Sequence, residues 1–383
     1  MPTSAEAIVA AIADARSAGF RGRLIAQGQA RAMIWRDGVL PADAPAFSPQ
    51  LSFDLHSYGY ALLGLGLRLL EMGGDAALAR NAFEQAAAAT HADMAKGGPP
   101  EADRGFHFVM AAASYHLAHL SARAYSLLAI VAAEENFSPT ERALALLMRR
   151  DIAALRGQVH GYRLGGLGSD ARIAELIRER LGRAGADAGP DNHDFLFEGL
   201  DLALTDNFLG ALASFLLAFD RGEPGLVDRA IGGLREGLAV CADLNLLPQW
   251  WSHRVAIHLL SDLWSNSFHA KLPLFPAGSA APDWLRLREL FIASLGRRAK
   301  AEVDLWPSQI AAAARAVDDT DDLVVSLPTS AGKTRTAELC ILRCLASGRR
   351  VMFVTPLRAL SAQTEMTLQR SFASHGVDSV EVG

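Results

Sequence analysis

Cysteine is almost missing from this chain: Cys241, Cys340 and Cys344 are the only three in 383 residues. They are too few and too badly spaced for a zinc-ligand pattern, and a reducing compartment fits them. Cys340 and Cys344 stand four apart on a helical period, where core packing is the expected role. Aromatic residues make up 7 % of the chain, and with abundant alanine this favours helix over sheet. Positive charge is not in excess, because 37 Lys and Arg against 42 Asp and Glu leave a net −5. That excludes a global basic footprint, so any nucleic-acid contact has to be local. No basic region precedes the Ala-rich N-terminus, which Glu6 and Asp14 interrupt, so a signal peptide is not expected. The best apolar run, Phe208 to Phe219, is too short to cross a bilayer. These absences predict a cytoplasmic protein with no membrane partner. His56, His107, His116 and His119 lack the carboxylate or cysteine pattern of a metal site.

What is present is helical periodicity. The length suits two or three domains. Apolar positions recur at three and four through residue 270 or so, predicting helices over 4–18, 22–36, 52–72, 75–94, 102–118, 121–134, 139–157, 169–183, 191–203, 206–221, 225–243 and 249–268. Glycine and proline clusters at Gly73-Gly74, Gly97 to Pro100, Gly165 to Gly168, Gly189-Pro190 and Gly222 to Gly225 separate them. Ala79, Phe83 and Ala86 carry the small-large-small spacing of a tetratricopeptide second helix, so an all-α, repeat-like array over 1–271 is expected, with an irregular all-α domain as the other reading. Such an array offers a surface for a protein partner. Trp250, Trp251 and Trp264 concentrate aromatics near its end. They read as core packing with His253, or as a stacking platform or docking face. Leu272 to Pro282 has three prolines and no helical period, marking a linker, after which Asp283 is placed to cap a helix from Trp284.

The chemistry lies in the last segment, 283–383. Leu323-Val324-Val325-Ser326-Leu327 is a buried-strand pattern, and it runs through Pro328-Thr329-Ser330-Ala331-Gly332 into Lys333-Thr334 and an amphipathic helix. This is the strand-loop-helix of a phosphate-binding loop. Backbone N–H groups of Thr329 to Thr334 can converge on β- and γ-phosphates at the positive end of the helix. Gly332 allows close approach. Lys333 can reach the phosphate oxygens, and the Thr334 hydroxyl can ligate the Mg²⁺ that bridges them. With Lys96, Lys271 and Lys300 as the only other lysines, a lysine here is pointed. Leu327 stands where the general loop pattern has its first glycine. Val351 to Thr355 is a second apolar run, and the crossover helix between the two predicts a parallel sheet with both loops at the carboxyl ends of its strands. Asp318, Asp319, Asp321 and Asp322 precede the first strand and read as a solvated turn.

Two flanking motifs complete the pattern. Upstream is Trp306-Pro307-Ser308-Gln309; downstream is Thr355-Pro356-Leu357-Arg358-Ala359-Leu360-Ser361-Ala362-Gln363. In this order they resemble the opening of a superfamily 2 DEAD/DEAH-box helicase, nearer the Ski-like branch than the DEAD-box branch itself, where the position of Leu327 is often not glycine. The resemblance spans about 300–383. It implies an α/β, RecA-like lobe and an ATP-dependent helicase. Gln309 would read adenine through its amide, Pro328 to Thr334 would hold ATP and Mg²⁺, and Thr355, Pro356, Leu357 and Arg358 would touch the backbone of single-stranded DNA or RNA. Lys333 and Thr334 carry the catalytic role. The Walker B acidic pair and the second lobe do not appear before Gly383, so the chain reads as the front of a longer protein, inactive by itself. A signalling P-loop ATPase with helical repeats, and a non-enzymatic helical scaffold with a vestigial ATPase lobe, stay open as alternatives.

Overall fold

The computed structural model describes residues 4–16, 20–34, 42–43, 46–95, 104–131, 137–164, 174–175, 178–179, 193–298, 300–320, 322–326, 332–355, 358–372 and 375. Helices run α1 (Ala5–Ala15), α2 (Phe20–Ile34), α3 (Leu51–Glu71), α4 (Ala76–Met94), α5 (Arg104–Leu117), α6 (Ser121–Val131), α7 (Pro139–Met148) and α8 (Ile152–Leu164). They continue as α9 (His193–Arg221), α10 (Pro224–Asp243), α11 (Leu247–Ser265), α12 (Phe268–Lys271), α13 (Trp284–Gly296), α14 (Pro307–Ala316), α15 (Lys333–Ala346) and α16 (Arg358–Phe372). Two compact units result, one of Met1–Gly210 with Gly232–Leu259 and the other of Ala211–Ile231 with Leu260–Gly383.

The first unit is built on the α3–α4 pair, where small residues let the backbones close. A Cβ on Gly66 would lie 2.5 Å from the Phe83 ring, and one on Gly59 would lie 2.6 Å from the Thr90 hydroxyl. Ala79, Phe83 and Ala86 are all buried in that contact. Helix starts follow local chemistry: Asp75 accepts from the Ala77 N–H at 2.7 Å, and Ser138 with Glu141 forms a reciprocal capping box ahead of Pro139. Two expected boundaries change. The helix expected over 139–157 breaks after Met148, where Arg150 adopts a left-handed φ of 58° and Asp151 caps α8 through the Ala154 N–H at 3.2 Å. The helices expected over 191–203 and 206–221 are one, α9, because neither glycine nor proline interrupts them at Thr205. The helix expected over 169–183 falls largely outside the described residues, as do Gly97 to Pro100.

Within α9, Gly199–Arg221 is 23 residues and apolar enough, by length and composition, to cross a membrane, which corrects the length argument made from Phe208 to Phe219. In the folded chain Phe208, Leu209, Leu212 and Phe215 of this helix are fully buried against protein.

Buried charges in the first unit are paired. Asp93 on α4 receives Arg31 at 2.6 Å and lies 3.2 Å from His56 Nε2. Arg254 on α11 grips Glu71 through Nε and Nη2 at 2.9 and 3.0 Å, with its guanidinium 4.9 Å over the Trp250 ring. His253, buried, gives Nδ1 to the Gln249 carbonyl at 2.8 Å and sits edge-on to Phe208, a packing role. Burial alone would raise the Glu71 carboxyl, but hydrogen bonds from His258 and Arg254 and the Arg254 charge outweigh it and hold the group at about 2, against 4.5. The folded value is depressed, so this stabilisation is complete above pH 4.5 and fades as pH falls toward 2. In chemical denaturation, the stability gap between the parent chain and Glu71→Gln should be widest near neutrality and shrink across that window. A gap that stays constant with pH would contradict the pairing.

In the second unit, Phe268, Trp284, Phe291 and Leu295 pack with Leu339, Leu342 and Phe372 into one core. The proline-rich stretch 272–282 is tied down onto it. Trp284 Nε1 donates to the Pro273 carbonyl at 2.8 Å, Arg288 donates to the carbonyls of His269 and Leu272 at 2.7 and 3.1 Å, and Arg343 reaches those of Ala277 and Ser279 at 3.0 and 2.6 Å. Asp283 stands at the N-cap of α13 but makes no capping hydrogen bond with its side chain; it pairs instead with Arg286 at 3.6 Å.

Among the described residues no parallel sheet is seen, and Leu323 to Ser326 and Val351 to Thr355 run without ladder partners. Both share with α15 a groove of about 610 Å³, lined by Leu323, Val325, Ala337, Cys340, Val351 and Phe353. A ladder needs a neighbouring backbone within about 5 Å. Here one face of each segment meets solvent, with Val324 94 % and Met352 87 % exposed.

Candidate nucleotide site

Gly332 immediately precedes α15 at φ 87°, a left-handed conformation that a side chain would strain. Its neighbour is the sequence's other nucleotide candidate. A Cβ on Gly332 would stand 2.1 Å from Gln309 Nε2, so the amide occupies the space that glycine leaves. Gln309 lies in the first turn of α14, after Pro307, and is 8 % exposed. Its Oε1 accepts the Trp306 N–H at 2.9 Å, which fixes the amide while leaving one acceptor lone pair and both Nε2 protons. α14 and α15 pack directly on each other. The motifs at 309 and 332 therefore meet in space, and Trp306 stands at the edge with 56 % of its surface exposed.

The first turn of α15 divides its side chains. Lys333 and Thr334 are exposed, whereas Arg335 and Thr336 are buried. The N–H groups of Arg335 and Thr336 bond back to the Gly332 carbonyl at 3.0 and 3.3 Å, and those of Lys333 and Thr334 have no partner within the helix by its geometry. Two N–H groups without a partner inside the helix, a hydroxyl and an ammonium at the positive end of a 14-residue helix are groups that could receive phosphate oxygens. Pro328, Thr329, Ser330 and Ala331 lie outside the described residues.

At the third motif, the Thr355 hydroxyl lies 2.5 Å from that of Ser361, which ties the end of the extended segment to α16. Pro356 and Leu357 lie outside the described residues, as does the side chain of Arg358, the first residue of the helix. Two of the aspartates before Leu323 are engaged within the protein. Asp318 accepts from Thr320 and Asp319 from the Ser279 N–H at 2.8 Å, and Ser279 holds Asp319 below the usual carboxylate range. Asp319 thus anchors the 272–282 stretch, a more specific role than a solvated turn. Among the described residues there is no cluster of three or more His, Cys, Asp or Glu that could hold a metal.

Sequence reasoning passed over the groups behind this helix end. Arg335 donates to Glu338 and Glu302 with its guanidinium 5.7 Å from both the Phe268 and Phe291 rings. An Arg and a Glu three apart on the inner face of an amphipathic helix were the available signal.

Residues 306–382 match the family model of the DEAD/DEAH box helicases. The similarity of this segment is to superfamily 2 helicases. Relatives of the helicase segment include the ATP-dependent DNA helicase Hel308 of Methanocella arvoryzae, 32 % identical over 81 residues, 21 % of this chain and 11 % of the relative. The mRNA transport homolog 4 of Caenorhabditis elegans is 38 % identical over 61 residues, 16 % of this chain and 6 % of that protein. The chloroplastic DExH-box ATP-dependent RNA helicase DExH15 of Arabidopsis thaliana is 44 % identical over 55 residues, 14 % and 5 % of the two chains. The matches thus span about a tenth or less of the length of each relative.

Proposed function

We propose that this chain supplies the nucleotide site and a strand-contacting motif of an ATP-dependent nucleic-acid helicase or translocase of the Ski-like branch. The observation that carries the reading is the meeting of Gln309 with Gly332 beneath the free end of α15. In this reading Gln309 selects adenine, Lys333 and the N–H groups of the loop Pro328 to Thr334 bind the β- and γ-phosphates, and Thr334 completes the Mg²⁺ shell. Thr355, Pro356, Leu357 and Arg358 hold the sugar-phosphate backbone without reading bases. Leu323 to Leu327 and Val351 to Thr355 become strands of a RecA-like parallel sheet, in a lobe formed by 283–383. The helical residues 1–271 act as an accessory domain for a protein partner, joined through 272–282. The relatives include a named DNA helicase and a named RNA helicase, so the strand is assigned as single-stranded nucleic acid of either sugar.

Titrating labelled single-stranded DNA and RNA across a range of salt tests the strand side. Arg358→Ala should weaken binding by a similar factor for every sequence and lower the logarithmic salt slope by about 0.7, one phosphate contact on a single strand. An unchanged slope, or a loss confined to one sequence, would contradict the assignment.

A further inference from the structure

Behind the candidate nucleotide site, five side chains close into a ring. Arg335 on α15 pairs with Glu338 one turn along and with Glu302. Glu302 Oε1 receives Arg298 Nη1 at 2.6 Å, Arg298 Nη2 donates to the Ser371 hydroxyl at 2.8 Å, and that hydroxyl donates to Glu338 Oε1. Two arginines, two glutamates and one serine leave the ring electrically neutral. Its inner members are dry, with Ser371 0 %, Glu338 1 % and Arg335 6 % exposed. The ring opens toward water at Glu302, whose side chain is 41 % exposed.

The placement is what matters. Arg335 and Glu338 belong to the first turns of the helix that presents Lys333. Ser371 lies at the far end of α16, the helix that starts at Arg358, and α13 packs against both helices. Each oxygen of the Glu338 carboxylate is committed to a different helix, one to Arg335 and one to Ser371. Sliding or rotating α16 against α15 would leave a desolvated carboxylate with half its partners, a cost that confines the two helices to one relative position.

Resting on the helicase reading above, we propose that Glu338 and Ser371 are positioning residues that bind the phosphate-loop helix to the strand-contact helix as one rigid piece. A displacement of the phosphate-loop helix on nucleotide binding then carries the strand-contact helix with it, and occupancy of the two sites is linked through the ring. An apolar core alone could hold these helices together. A closed ionic ring holds them in one register, the use of buried charge that its desolvation cost makes sense of.

Measuring the affinity of the full chain for a labelled oligonucleotide, with and without saturating Mg²⁺ and a non-hydrolysable ATP analogue, tests this. In the parent chain the two affinities should differ by about fivefold or more, the lower end of ordinary coupling between sites. Ser371→Ala should bring the ratio to within about twofold of one while leaving each separate affinity within about threefold of the parent's. Glu302→Ala opens the ring at its wettest corner and should lower the ratio in the same direction, which keeps the test decisive if Ser371→Ala fails to fold. A parent ratio of one, or a ratio unchanged in both variants, overturns the proposal while leaving the site assignment standing. A parent chain that binds neither ligand instead sinks the helicase reading on which the proposal rests.

Discussion

Lys333→Ala should bind Mg-ATP about 10- to 150-fold more weakly than the parent chain, the loss of one charge-assisted contact of about 1.5–3 kcal/mol. Lys333 is exposed and stands outside the core of its unit, so the substitution should leave thermal unfolding where it was. AMP sharpens the measurement. It lacks the β- and γ-phosphates that the ammonium is assigned to reach, so its affinity should be unaffected. If Lys333→Ala weakens AMP and ATP alike, the lysine is acting on the fold or on the base and not on the phosphates. An ATP affinity that does not change removes Lys333 from the site altogether.

The second large effect is structural. Arg343, 2 % exposed, donates to the carbonyls of Val317, Ala277 and Ser279 at 3.1, 3.0 and 2.6 Å and to Asp319 at 3.0 Å. One guanidinium thus ties the nucleotide helix α15 to the end of α14 and to the proline-rich stretch. Removing it takes this donor from three backbone acceptors, that of Val317 lying in the core, while Asp319 keeps Ser279 and Arg349; leaving a buried acceptor unpaired costs about 1–3 kcal/mol. Arg343→Ala should lower the unfolding free energy measured in urea by an amount of that order, and Arg343→Lys should recover only a fraction, because an ammonium cannot span the same fork of acceptors. A change below about 0.5 kcal/mol, typical of a surface site, would mean that the stretch is held by other contacts.

Most of the helices could be read from apolar spacing, since a three-to-four period needs no knowledge of distant residues. The misplaced boundaries have local causes that spacing does not carry. Arg150 leaves the helix through a left-handed φ without a glycine to announce it, and α9 passes through Thr205 because nothing there obstructs the backbone. The phosphate-loop residues were legible as a motif, and the contact of Gln309 with Gly332 was implied only by the resemblance. The sheet is the part that spacing alone does not carry: apolar runs at 323–327 and 351–355 specify extended chain, but a ladder depends on partners that spacing cannot supply. The ring through Glu302, Arg335, Glu338 and Ser371 joins residues more than thirty positions apart, and no local pattern reports such pairings.

The most direct measurement is a calorimetric titration of the 383-residue chain with Mg-ATP, repeated in the presence of GTP. A nucleotide site formed by Gln309, Gly332, Lys333 and Thr334 predicts saturable one-to-one binding that GTP displaces poorly, with the preference narrowing in Gln309→Ala. Absence of saturable binding, or displacement by GTP as effective as by ATP, would contradict the assignment of these residues to an adenine-selective site.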